Sequence, residues 1–256
     1  LQPLMGLFEN VPEFQVDVLH QSLGSLYRIV VLPVCTDHTG FRLVRRRRIY
    51  AILIHRQRAQ MTSDVEILYN LVSDELMRCL STRPADALVA TDSDLQEEFL
   101  AKCAERGVGT SLASRPIDVL SDKEREYLSE YERLYLGRYG EPASENPDLF
   151  VFLGDNPARR CVWSAASVIP TFRTNPGFYW HPHTESWLTA KEMLAVMGFP
   201  VYPEMAQAMN TQVLSVPDAM TCRRLIGNCM HFASVYVVLL CSLASVSVSD
   251  PATATG

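Results

Sequence analysis

A chain of 256 residues is long enough for one large domain or two small ones, and it can bury a core without disulfide staples. Its 48% apolar and 20% charged content is that of a globular protein and excludes wholesale disorder. A net charge of −6 counts against a uniformly basic nucleic-acid binder, and 7 cysteines with no C-x-x-C pair suggest reduced thiols in nucleus or cytoplasm, not a secreted disulfide framework or a zinc ribbon.

No basic segment followed by an apolar run opens the chain, so no signal peptide is expected, and Leu1 suggests a sequence that begins inside a longer polypeptide. Tyr27–Val34 and Ile49–Ile54 are β-branched and apolar and predict strands. Their nearly unbroken apolar character is that of strands covered on both faces, as in α/β sheets. The CTDHTG segment between them has turn chemistry. From about Gln60 to Pro147 the chain becomes acidic and helix-prone. Val65–Leu80 carries an apolar face at helical spacing, and Ser121 with Glu124 forms a capping box. The stripe Tyr127, Leu128, Tyr131, Leu134 and Tyr135 that follows reads as packing in preference to a base-stacking platform, with Gly137 and Gly140 ending the helix. Ser164–Pro182 reads as loop and short strand. Leu188–Met197 predicts an amphipathic helix capped by Thr189 and Glu192. The apolar run Phe232–Val248 carries serines and has no basic flank on its C-terminal side, so a buried element is expected in preference to a membrane span.

Common site patterns are absent. There is no phosphate-binding G-x-x-x-x-G-K-[ST], and Gly107-Val-Gly109 fails as a dinucleotide loop because Leu112 holds the third glycine position. His181 and His183 stand two apart without an evident third metal ligand.

Four segments in order carry a resemblance: Glu9-Asn10-Val11 followed by Pro12; VRRRRIYAILI from Val44 to Ile54; PTFRTN (Pro170–Asn175) followed by Leu188, Thr189, Glu192, Gly198, Phe199 and Pro200 at fixed spacing; and Gly227-Asn228 ahead of the final apolar run. Together they resemble the DNA cytosine-C5 methyltransferases. Val44 stands where that family has glutamine, and Cys229 where it has serine or alanine. The segment from about Gln60 to Pro147 is not covered by the resemblance.

The resemblance implies an α/β fold: the C-terminal part of a Rossmann-like methyltransferase sheet domain plus a mixed target-recognition domain. The expected division is 1–58 catalytic, 59–214 target recognition with an acidic helical insertion, 215–248 a returning catalytic segment, and 249–256 a disordered tail. It implies methyl transfer from S-adenosylmethionine to C5 of a cytosine flipped out of DNA. Glu9 would face N3 of the base, Arg48 its O2, and Arg46 would stand beside them. Gly227, Asn228 and Cys229 would border the cofactor, Asn228 either offering an amide to it or closing a helix-capping turn. Arg45 and Arg47 would meet phosphates if alternate side chains of the strand enter the pocket. Thr171, Arg173 and Thr174 are candidates for target recognition. The family's cofactor loop and Pro-Cys nucleophile precede E-N-V, and only eight residues do so here; Cys35 follows Glu9 and is not assigned that role. The expectation is an incomplete C-terminal portion, inactive alone, with DNA and a missing N-terminal half as partners and no membrane. The alternative is a non-catalytic remnant that binds DNA or protein.

Overall fold

The computed structural model describes residues 2–80, 82–109, 113–164, 168–173, 177–216 and 219–249. In chain order the elements are β1 (Met5–Asn10), α1 (Asp17–Leu23), β2 (Tyr27–Cys35), β3 (Arg47–His55), β4 (Ala59–Met61), α2 (Val65–Cys79), α3 (Asp92–Arg106), α4 (Pro116–Val119), α5 (Asp122–Tyr139), β5 (Val151–Phe152), β6 (Tyr179–His181), β7 (Ser186–Trp187), α6 (Ala190–Val196), α7 (Pro203–Ala208), α8 (Ala219–Ile226), α9 (Phe232–Ala244) and β8 (Val246–Val248). The fold is mixed α/β with small sheets, divided into two compact units. The first unit comprises 1–41, 46–81 and 230–256, the second 42–45 and 82–229. The division that the resemblance implies, at 58/59 and 214/215, differs from these bounds. They fall later because β4 and α2 pack with α9 and β8 in the first unit, while α8 packs on α6 in the second.

In the first unit the strand order is β1-β3-β2, and both pairings are antiparallel. β1 and β2 therefore point the same way, joined through α1, and β3 returns between them. Only β3 is deeply covered. β2 leaves Arg28 and Pro33 exposed, so its apolar run does not reflect cover on both faces. On the face bearing Leu32, Val34, Tyr50, Ile52 and Ile54 the sheet packs against Val65 and Tyr69 of α2 and Val237, Val238 and Cys241 of α9. The C-terminal apolar run supplies α9 and then β8, which pairs with β4. No helix among the described residues is long and apolar enough to cross a membrane. From residue 250 the expected disordered tail lies outside the described residues.

In the second unit the helix ends follow local chemistry. Ser121 and Glu124 form the capping box of α5, Thr91 and Asp94 that of α3, and Thr189 and Glu192 that of α6. Gly107 and Gly140 close α3 and α5 at φ 66° and 76°, a left-handed geometry that favours glycine. Gly137 does not end α5, which continues to Tyr139. A three-stranded sheet, β5-β6-β7, stands between aromatic layers: Leu128, Tyr131, Tyr135 and Trp180 on one side, Phe150, Phe152 and Tyr179 on the other. One buried carboxylate ties helices to this sheet. Glu98 of α3, 6% exposed, accepts from Trp187 Nε1 at 3.1 Å and from the Ala190 amide at 2.7 Å, and pairs with Arg223 of α8.

Candidate functional site

Strand register builds the site in the first unit. Glu9 lies opposite Tyr50, and the pairing places Met5, Leu7 and Glu9 on the same sheet face as Ile54, Ile52 and Tyr50. Arg48 stands two residues before Tyr50 on that face. Its Nε is 3.1 Å from Glu9 Oε1, and Arg46 Nη2 is 4.0 Å from the same oxygen. The side chains of Glu9, Arg46 and Arg48 are 10%, 4% and 17% exposed. One nearly buried carboxylate thus sits between two guanidinium groups. Glu9 Oε1 accepts no hydrogen bond of acceptable geometry from a described residue, despite its close ion partner. The Arg46 amide donates to Thr36 Oγ1 at 3.1 Å, and Arg48 Nη1 donates to the Arg47 carbonyl at 2.6 Å. The first bond fixes the backbone at Arg46, and the second orients the Arg48 guanidinium. Burial, and then the Glu9 carboxylate, raise the Tyr50 phenol far above its ordinary pKa, so it stays protonated.

Tyr50 and Thr36 belong to this group and were not singled out from sequence. Tyr50 had a signal as the aromatic residue opening the strand after the arginines, but its place opposite Glu9 depends on register. Thr36 lies in a turn-like segment and gave no signal. Cys35 is buried at the end of β2.

The arginine run does not act as one patch. Arg45 and Arg47 are exposed, whereas Arg46 is buried and Arg48 half-buried. Arg56 and Arg58 lie beyond the other end of β3, where they donate to the carbonyls of Gly24 and Gln2. A strand of nine residues separates the two groups, on the order of 25–30 Å at 3.3 Å per residue.

Residues 42–45 belong to the second unit. Val44 is 1% exposed, forms a parallel bridge with Ile169, and packs in the core with Phe150 and Leu188. Thr171 donates its hydroxyl to the Arg45 carbonyl, and its own carbonyl accepts from Tyr179 Oη at 2.9 Å. Arg173 pairs with Asp155 and lies 5.4 Å from the Phe152 ring centre, so its guanidinium is engaged inside the unit. Thr174 lies outside the described residues. Gly227, Asn228 and Cys229 form the turn after α8: the amides of Asn228 and Cys229 both donate to the Leu225 carbonyl, and the Cys229 thiol donates to the Ile226 carbonyl. The Asn228 side chain is exposed. This turn is in the second unit and the Glu9 cluster in the first.

His181 bonds to Thr184 Oγ1 through Nδ1 and to the Pro147 carbonyl through Nε2, each at 2.8 Å, which occupies both ring nitrogens. Among the described residues no group of three His, Cys, Asp or Glu side chains is placed to hold a metal.

No protein-family model matches the chain. No curated protein matches it either. Among solved structures it is similar to the S. pombe Dnmt2 methyltransferase, with a TM-score of 0.45 and 13% identity, over 94% of this chain and 66% of that one. The chain thus spans just under two thirds of that structure's length.

Proposed function

We propose that this chain is the base-recognising and target-recognising portion of a cytosine-C5 methyltransferase-like enzyme acting on DNA, with the thiol nucleophile and most of the cofactor site supplied by another polypeptide segment. The observation that carries the reading is the Glu9 cluster. A nearly buried carboxylate oxygen that accepts no hydrogen bond from a described residue, flanked by Arg48 at 3.1 Å and Arg46 at 4.0 Å, is costly as structure alone. It makes sense as a site that receives a polar ligand edge. A flipped cytosine presents such an edge at N3 and its amino group, with O2 beside them. Addition of a thiolate at C6 puts negative charge into the ring. An acid at N3 and a cation at O2 stabilise that charge, and Glu9 and Arg48 supply the two. Arg46 keeps positive charge at the carboxylate, and Arg45 and Arg47, both exposed, serve phosphates.

S-adenosylmethionine enters only through the family resemblance. The 226–229 turn offers one exposed side-chain amide, from Asn228, while the amides of Asn228 and Cys229 are used within the turn. That donor set does not by itself fit a nucleoside with an amino-acid tail, and no step is derived through the cofactor. A second reading, a non-catalytic DNA- or protein-binding remnant, draws on Val44: where the resemblance calls for a glutamine amide, this chain has a buried core residue.

The test is transfer of labelled methyl from S-adenosylmethionine to duplex DNA, by the chain alone and mixed with a polypeptide carrying the glycine loop and Pro-Cys segment. Activity is expected only in the mixture, and only with Glu9 intact. Transfer by the chain alone would overturn the division of labour. DNA binding without transfer in either arm, unchanged in Glu9→Gln, would establish the remnant.

A further inference from the structure

We propose that a groove beside the C-terminal half of α5 binds unpaired nucleic acid, stacking bases on aromatic faces and holding phosphates with arginines. The groove has a volume of about 400 Å³ and is lined by Arg133, Gly137, Arg138, Pro157, Cys161 and Trp163. It lies wholly in the second unit. This inference stands on its own observations and does not depend on the reading of the Glu9 cluster.

Three features define the ligand chemistry. The first is an aromatic wall. Trp163 lies 6.0 Å from Tyr139 and packs edge-on against Tyr135 at 5.8 Å. Tyr135 is buried and fixes the tryptophan from within, while Tyr139 is 42% exposed. Tyr131 and Tyr135 are therefore packing; Trp163 is the aromatic residue that lines the groove, with Tyr139 next to it. The second is charge. The Arg138 guanidinium lies 5.5 Å from the Tyr139 ring centre and 5.9 Å from that of Trp163. Arg159 and Arg160 are exposed on the turn between the lining residues Ala158 and Cys161. No acidic side chain among the described residues forms an ion pair with Arg138, Arg159 or Arg160; of the groove's arginines, Arg133 is paired, with Glu130. Glu141, the nearest acid along the chain, accepts from Tyr135 Oη. Arg138 on the groove wall, and Arg159 and Arg160 on the turn between two of its lining residues, are thus exposed without an ion pair among the described residues, in a chain of net charge −6.

The third is Gly137. It sits inside α5, where glycine is a poor helix former, and no atom lies within 4 Å of the position a Cβ would take. No packing constraint requires glycine there. Its absent side chain keeps the groove open beside Trp163. Aromatic faces next to guanidinium groups suit a strand whose bases are not already stacked in a duplex, and such binding tolerates sequence and weakens with salt.

The test uses the 256-residue chain and a fluorescently labelled ten-nucleotide oligo-dT, read by anisotropy. Binding should weaken with salt, with a log–log slope near −2 if about three phosphates are neutralised at ~0.7 each. Arg159→Ala combined with Arg160→Ala should flatten that slope by about 1.4. Gly137→Leu blocks the groove while improving helix propensity, so it should lower affinity at least tenfold with an unchanged or raised melting temperature. The oligonucleotide should slow alkylation of Cys161 but not of Cys79, both exposed thiols. No measurable binding, binding unaffected by Gly137→Leu, or equal affinity for a ten-base-pair duplex would overturn the proposal. Equal competition by free thymidine monophosphate would also overturn it, by reducing the groove to a mononucleotide site.

Discussion

At the scale of single residues, Glu9 and Arg48 differ in what their removal leaves behind. Glu9→Gln keeps the shape and a dipole between the two arginines. It removes the negative charge facing Arg48 at 3.1 Å and Arg46 at 4.0 Å, so two nearly buried guanidinium groups lose their counter-ion. The variant should lower unfolding free energy by about 2–3 kcal/mol, and lower turnover of the reconstituted enzyme by roughly 10²- to 10⁴-fold, the usual contribution of a general acid. Arg48→Ala instead strips the carboxylate of its nearest cation and leaves only Arg46, at 4.0 Å. It should destabilise the chain by about 2–3 kcal/mol, toward the lower end for a broken buried pair. Denaturant melts beside turnover measurements check both; a stability loss in Glu9→Gln with turnover unchanged would make Glu9 a structural ion-pair partner only. Asn228→Ala removes an exposed amide whose turn is closed by backbone bonds to Leu225. Its melting free energy should stay within ~0.5 kcal/mol of the parent. A larger loss would show that the side chain, not the backbone, holds the turn.

At the scale of elements, β6 shows how a polar residue is accommodated in a sheet. His181 is fully buried, stacks on Phe150 with ring centres 4.6 Å apart, and donates from Nε2 to Pro147 while Nδ1 accepts from Thr184. Burial lowers its pKa below the ordinary 6.5, outweighing the upward pull of the Pro147 carbonyl, and nearby His183 adds to the lowering. The unfolded chain therefore binds this proton at a higher pH than the folded one. The sign follows: stability is fully present above pH 6.5 and is lost as pH falls from 6.5 through the folded-state pKa. Urea melts at pH 7.5 and 5.5 should show a drop in the parent that is smaller in His181→Gln. An equal drop in both would assign the acid sensitivity to other groups. The helices were the most legible elements. The caps at Ser121 and Thr189, and the αL glycine at Gly140, act within a turn of chain, so their consequences can be read from neighbouring residues. Gly137 was misread for the same reason: its sequence context resembles a stop signal, while the packing of Tyr131 and Tyr135 carries the helix past it.

At the scale of the whole molecule, the proposed DNA partner is a polyanion while the chain is acidic. Within the first unit Arg47, which opens β3 next to Arg46 and Arg48, is exposed, while Arg56 and Arg58 are bound to carbonyls at the strand's far end. Arg47→Ala should weaken binding to all duplex sequences alike and reduce the salt slope by about 0.9, one phosphate contact. Filter binding across a salt series with two unrelated duplexes measures both. Loss confined to one sequence would place Arg47 at a base edge instead. Twenty-nine acidic against 23 basic residues make such local placement decisive, because the average field repels DNA.

The sequence by itself determined the strands at Tyr27 and Ile49, the helices after Asp64, Ser121 and Thr189 with the capping boxes of the last two, and a short roll of polar residues worth locating, because periodicity and capping depend on residues a few positions apart; α3 and its Thr91–Asp94 box were not read. Tertiary structure alone decided the rest. Antiparallel register put Glu9 opposite Tyr50 and within reach of Arg48, 39 residues away in the chain. Strand length parted the arginines, core packing took Val44 and Glu98 into the interior, an ion pair with Asp155 engaged Arg173, and the turn at 157–160 brought Trp163 to the outer end of α5. Contacts of that range are selected by burial and by competition among many partners, which no local window of the chain records.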